Sequence, residues 1–139
     1  MGKGDFILGA LDEADVSWFR HHGKLQELPP DMDLICEGQE LDTFYIVMAG
    51  ALAVCHGEKE LARLRVGEIL GEMSFVDARS AAATVRTLEP SLILSVPQHR
   101  LSVQLQDNPG FAARFYRAIA MFLSSRLRST VIQFGIEDG

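Results

Sequence analysis

Apolar and polar positions alternate along this chain in two rhythms, a helical one near the ends and a strand-like one between them. Over residues 11–22, Val16, Trp18 and Phe19 supply an apolar side, Asp12 suits an N-cap and Asp15 falls in the first turn, so a short helix is expected there. Gly23 is expected to end it. From 24 to 97 the texture becomes short runs of strand formers, punctuated by Pro29-Pro30, Gly38, Ala49-Gly50, His56-Gly57, Gly67, Gly71 and Pro90. Leu61, Arg63 and Arg65 share one face of an extended segment and Ala62, Leu64 and Val66 the other, which predicts a strand wet on one side and packed on the other. Residues 43–48 and 51–55 both read as strands, and Ala49-Gly50 between them reads as a tight hairpin.

After Pro97 the helical period returns over residues 98–134. A short helix is expected at 98–106, then a longer one with Asn108 as N-cap and Pro109 at its first position. In the longer helix Phe111, Phe115, Ala118 and Phe122 line one stripe, with Ile119, Leu123 and Leu127 beside it. So broad an apolar face suits either the chain's own core or a core shared with a second copy. The fold class expected from this order is mainly β with flanking helices: an antiparallel β-roll, or double-stranded jelly-roll barrel, with an N-terminal helix and C-terminal helices. No repeat or low-complexity tract divides the 139 residues, so residues 1–139 are expected to form one domain. No helix-turn-helix is expected beyond the long helix in these 139 residues.

With 47% apolar residues the chain can close a core without disulfides. Cys36 and Cys55 carry no CxxC spacing and are expected as reduced, buried thiols rather than zinc ligands. The net charge of −6 gives no general field for nucleic acid, although Arg100, Arg114, Arg117, Arg126 and Arg128 make the C-terminal region locally basic, as a solvated helix face would be. The apolar run at 6–11 is too short for a signal or membrane segment, so a cytoplasmic protein, bound to neither membrane nor nucleic acid, is expected.

One stretch departs from ordinary barrel texture: Gly67-Glu68-Ile69-Leu70-Gly71-Glu72-Met73-Ser74-Phe75, followed after a polar link by Ala81-Ala82-Ala83-Thr84-Val85. A glycine ahead of a single helical turn leaves backbone N–H groups pointing outward, which favours an anion. The small residues at 81–83 would let backbone approach the same anion.

The residues Gly71-Glu72-Met73-Ser74-Phe75 with Ala82-Ala83-Thr84-Val85, together with the order of glycines at 38, 50, 67 and 71, resemble the cyclic nucleotide-binding domain family. That family includes catabolite-activator-type regulators and protein kinase A regulatory subunits; the DNA-binding domain of the former is not expected here. The resemblance implies a phosphate-binding cassette at 71–85, with Gly71 at its turn and Glu72 accepting a hydrogen bond from the ribose 2′-hydroxyl. It implies that N–H groups around Met73 and Ser74, with that of Ala82 or Ala83, hold the cyclic phosphate. It also makes Arg126 a candidate to stack on the purine, against the plainer reading of a solvated arginine.

The departure from the family pattern is Ala81, where tight binders usually place an arginine on the phosphate. A charge-assisted hydrogen bond is worth about 1.5–3 kcal/mol, so its loss weakens binding roughly 10- to 150-fold. Arg79 offers a substitute, because residues two apart in an extended link share a face about 6.5 Å from each other. Ser80 stands where a proline is common, which loosens the link and favours Arg79 in water. Relatives selective for cGMP often carry threonine at the position of Ala82, so cAMP is the ligand the resemblance implies; Thr84 is read as structural.

Rival classes fare less well. His21, His22, His56 and His99 supply no converging ligand set for a cupin-type metal enzyme, and Ser74 and the two cysteines have no visible general base, so no enzymatic activity and no cofactor are expected. Two readings remain open: a regulatory module that transmits ligand occupancy to its C-terminal helices, or a ligand-free relative acting as an interaction module. The partners expected are a second copy through the last helix, or a separate effector protein.

Overall fold

The Asp12 carboxylate accepts a hydrogen bond from Asp15 N at 3.0 Å, and the Asp15 carboxylate accepts one from Asp12 N at 3.3 Å. This reciprocal box opens helix α1, Glu13–His22, where the sequence places it. A computed structural model describes residues 9–71 and 80–133. Eight strands follow in these residues: β1 Lys24–Leu28, β2 Asp33–Ile35, β3 Thr43–Ala49, β4 Leu52–His56, β5 Lys59–Leu64, β6 Ile69–Leu70, β7 Thr84–Thr87 and β8 Ser91–Pro97. Helices α2, Gln98–Asp107, and α3, Pro109–Gln133, close the described chain, and Asn108 Oδ1 caps α3 by accepting from Phe111 N at 3.0 Å.

The strands form two antiparallel sheets, ordered β1-β8-β3-β6 and β2-β7-β4-β5. β3 and β4 therefore do not pair, and the hairpin expected at Ala49-Gly50 is instead a crossing from one sheet to the other. Gly50 has φ +93°, and a Cβ there would lie 2.7 Å from Pro90 O, so the crossing requires glycine for both backbone shape and space. The hairpin on this side is β4–β5, turning at Gly57-Glu58.

Alternation along β3 and β8 divides the interior into two cores. Phe44, Ile46, Leu94 and Val96 face the helices and pack with Phe19, Leu101, Phe111, Phe115 and Phe122. Val47 and Ile93 face inward between the sheets, among Ile35, Leu52, Leu64, Leu70, Ala81 and Val85. The β3–β8 centre of the first sheet is thus covered on both sides, whereas the second sheet keeps a wet outer face, as the alternation of Leu64 with exposed Arg63 requires. The resulting β-roll with flanking helices is the fold class the sequence implies.

The α3 stripe is buried at Phe111, Phe115, Ala118, Ile119 and Phe122, while Tyr116, Leu123 and Leu127 remain exposed. Cys55 is buried but Cys36 is exposed, contrary to expectation. The chain leaves the sheet after Ile35, and Cys36 begins a turn in which its N–H donates to Gln39 Oε1 at 2.9 Å.

Candidate ligand-binding site

The turn at 65–68 leads the chain into the site. Glu68 N donates to Arg65 O at 3.0 Å, Gly67 N to Val47 O at 2.8 Å, and Val47 N to Glu68 O at 2.9 Å, so the turn is pinned to the middle of β3. The Glu68 carboxylate tightens it further by accepting from Arg65 N at 3.1 Å. β6 follows, with Ile69 in the helix-facing core and Leu70 in the inter-sheet core.

At Gly71 the backbone adopts φ +87°, and a Cβ would stand 2.6 Å from Thr43 O. Only glycine satisfies both conditions, so the chain leaves β6 hard against the first residue of β3. Gln98, at the start of α2, reaches Gly71 O with its Nε2 at 3.4 Å. Glu72, Met73, Ser74 and Arg79 lie outside the described residues.

The far flank of the cassette is fixed by a clasp with the loop after β2. Ala81 N donates to Gln39 O and Gly38 N to Ala81 O, each at 2.9 Å. The Ala81 N–H is therefore committed to protein, and its methyl group is buried among Ile35, Val47, Leu52, Leu64, Leu70 and Val85. Next to it, Ala82 is exposed and Ala83 half-buried. Among the described residues, neither of their N–H groups has a hydrogen-bond acceptor. Thr84 opens β7, and its hydroxyl accepts from Glu37 N at 3.0 Å, a second tie to the same loop.

Tyr45 was not singled out by sequence, although its alternation with Phe44 and Ile46 is the signal that turns it inward. Its ring packs against the inter-sheet core. Burial raises its phenol pKa, a hydrogen bond with the Thr43 side chain opposes the rise, and the Asp42 charge adds to it, so the phenol stays protonated at neutral pH. It offers the interior a polar handle without a charge.

Arg126 is about one-third exposed, and protein groups hold it. Its Nη2 lies 3.2 Å from Glu68 Oε1, and its guanidinium carbon sits 5.4 Å from the centre of the Phe122 ring. A contact between residues 58 positions apart in sequence has no local signal that could have revealed it.

An arrangement of this kind can present N–H donors to an anion at the mouth of an apolar interior, while position 81 brings no cation to neutralise it. No group of three metal-ligating side chains occurs among the described residues. No helix among them is long and apolar enough to cross a membrane.

Comparison with known proteins identifies the family and supports the fold. The family model for the cyclic nucleotide-binding domain matches residues 25–108. The cAMP-activated global transcriptional regulator CRP of Salmonella typhimurium is 24% identical over 111 residues, covering 76% of this chain and 53% of that protein. The Pycsar effector protein PaPycTIR of Pseudomonas aeruginosa is 35% identical over 75 residues, covering 53% of this chain and 24% of that one. The chain thus spans about half the length of the first curated relatives it matches, or less.

Among solved structures, a cyclic nucleotide-binding domain from Methylobacillus flagellatus superposes with a TM-score of 0.81 at 20% identity, covering 88% of this chain and 72% of that one. The Thermus thermophilus catabolite activator protein gives 0.74 at 19% identity, covering 96% and 63%. These likenesses establish a shared fold.

Proposed function

This chain belongs to the cyclic nucleotide-binding domain family, and from that premise we propose that it is a non-enzymatic regulatory module that binds a cyclic nucleotide between its cassette and the roll. The observation that carries this reading is the pair of N–H groups at Ala82 and Ala83, which have no acceptor among the described residues and stand on a flank fixed by the Gly38 and Gln39 bonds. The phosphate would rest on these donors and on those around Met73 and Ser74, Glu72 would take the ribose hydroxyl, and Arg79 would supply the only nearby cation of the link. The ligand is cAMP rather than cGMP, since Ala82 brings no hydroxyl to a guanine.

Occupancy would be transmitted to α3 by a population shift, because β6 carries one residue in each core and runs directly into Gly71. The output surface is the exposed line of Tyr116, Leu123 and Leu127, spaced seven and four apart on one side of α3, which fits a second copy of the helix. On this reading the module works in the cytoplasm upstream of an effector, with neither nucleic acid nor membrane as its partner.

A second reading has its own observation: the Ala81 methyl is enclosed by aliphatic side chains, as in a relative that keeps the roll and has given up the ligand. Thermal unfolding with added cAMP separates the two. A ligand at 100 times its Kd adds about 2.7 kcal/mol of stability, a rise of several degrees for a domain of this size. An unchanged midpoint at millimolar cAMP and cGMP rejects the receptor and leaves the interaction module.

A further inference from the structure

We infer that Glu68 and Arg126 are positioning residues for the ligand site, an ion pair that ties the outer part of α3 to the turn from which the cassette springs. The inference rests on the proposed ligand reading. One carboxylate oxygen, Glu68 Oε1, serves two partners: Arg65 N at 3.1 Å, which closes the 65–68 turn, and Arg126 Nη2 at 3.2 Å, which anchors the helix. Both side chains are about one-third exposed, so the pair is reached by water but not flooded by it. Arg126 is also held from its own helix by the Phe122 ring, itself buried in the helix-facing core.

The consequence follows from what the turn holds. Its backbone is bonded to Val47 in the inter-sheet core, and three residues after Glu68 the chain reaches Gly71. Ile69 packs with Phe115 and Phe122 in one core and Leu70 with Ala81 in the other. A helix held at Arg126 therefore limits the positions open to the cassette shoulder before a ligand arrives. Preorganisation of this kind improves binding by lowering the ordering cost, without any contact to the ligand.

Glu68→Gln isolates the effect, because glutamine still accepts from Arg65 N while losing the charge that holds Arg126. Arg126→Gln removes the other partner. Each variant is expected to bind cAMP about 2- to 5-fold more weakly, the double variant no more weakly than either single one, and Arg126→Lys is expected to recover most of the affinity. In the same proteins without nucleotide, amide hydrogen exchange at residues 120–128 and at 69–71 is expected to quicken together.

Additive losses in affinity, or an affinity unchanged in both single variants, overturn the coupling. Exchange that quickens in the helix but not at 69–71 overturns it as well, whatever the nucleotide does. A wild-type chain that binds no cyclic nucleotide removes the ligand reading, and with it the positioning role; joint quickening of the two segments would then mark the pair as a structural tie only.

Discussion

The Arg114 guanidinium holds the Asp15 carboxylate through two hydrogen bonds, Nε to Oδ2 at 2.6 Å and Nη2 to Oδ1 at 3.0 Å, across 99 residues of sequence. Asp15 is 3% exposed and also belongs to the capping box of α1, whereas Arg114 keeps contact with water and touches Asp12 at 3.2 Å. One buried carboxylate thus starts the first helix and fastens it to the last. Asp15→Asn removes the charge but keeps a capping oxygen, so the loss belongs to the link with Arg114 and amounts to about 1.5–3 kcal/mol. Urea unfolding measures it, and a loss under 0.5 kcal/mol, on the order of an ordinary surface substitution, contradicts the assignment.

The same pair sets a pH dependence. The Arg114 hydrogen bonds are the main reason the Asp15 pKa lies below the ordinary aspartate value, and they outweigh the opposing effect of burial. A carboxyl group whose folded pKa is depressed contributes stability above its unfolded pKa and loses it as pH falls through the folded value. Wild-type protein should therefore lose stability more steeply on acidification below the unfolded aspartate range than Asp15→Asn does. Parallel stability curves for the two proteins in acid would show that this carboxylate is not the source.

Two glycines with nearly the same backbone angle separate strain from crowding. Gly38, at φ +88°, has open space where a Cβ would go, whereas Gly71, at φ +87°, has Thr43 O at 2.6 Å. Gly38→Ala should cost about 1–2 kcal/mol from the left-handed conformation alone. Gly71→Ala carries that cost plus displacement of the β3 backbone, so it should be the more destabilising of the two and the one that alters ligand response. Equal unfolding midpoints would remove the close approach from the account of the cassette.

How much of this was legible in the sequence depended on how local the cause was. The caps at Asp12 and Asn108 act over three residues, and both helix starts follow from them. The alternation of Leu61 to Leu64 likewise reports its own environment. The Ala49-Gly50 hairpin failed because positive φ at Gly50 serves a sheet crossing as well as a hairpin, and the choice is made by the pairing of β3 with β8, far along the chain. Around the candidate site, the positive φ at Gly71 could be read directly. The clasp that consumes the Ala81 N–H and the Glu68–Arg126 pair could not, since each joins segments that only the finished roll brings together.

The exposed line on α3 makes a separate prediction about assembly. Leu127 is 65% and Leu123 38% exposed, and with Tyr116 they leave an apolar seam on a helix whose other side is already buried. Leu123→Glu with Leu127→Glu should shift sedimentation from dimer to monomer while leaving the unfolding midpoint of the roll nearly unchanged, because neither side chain belongs to a core. A wild-type chain that sediments as a monomer at high concentration would assign the seam to a different protein.

Position 81 gives the sharpest test of what the cassette recognises. Ala81 lies where the family pattern usually has arginine, and it is buried at the inter-sheet core that Ile35, Val47, Leu52, Leu64 and Leu70 also form. A guanidinium placed among these groups without a counter-charge meets a desolvation penalty, so Ala81→Arg should lower the stability of the nucleotide-free protein. A cyclic phosphate held by the neighbouring N–H groups would provide the missing charge, returning about 1.5–3 kcal/mol and raising affinity roughly 10- to 150-fold. The variant should therefore be less stable than wild type alone and gain more stability from cAMP, a crossover visible in one titration of melting temperature. Destabilisation with no gain in affinity would mean that no phosphate comes within reach of position 81, and the interaction module would then be the better account of this chain.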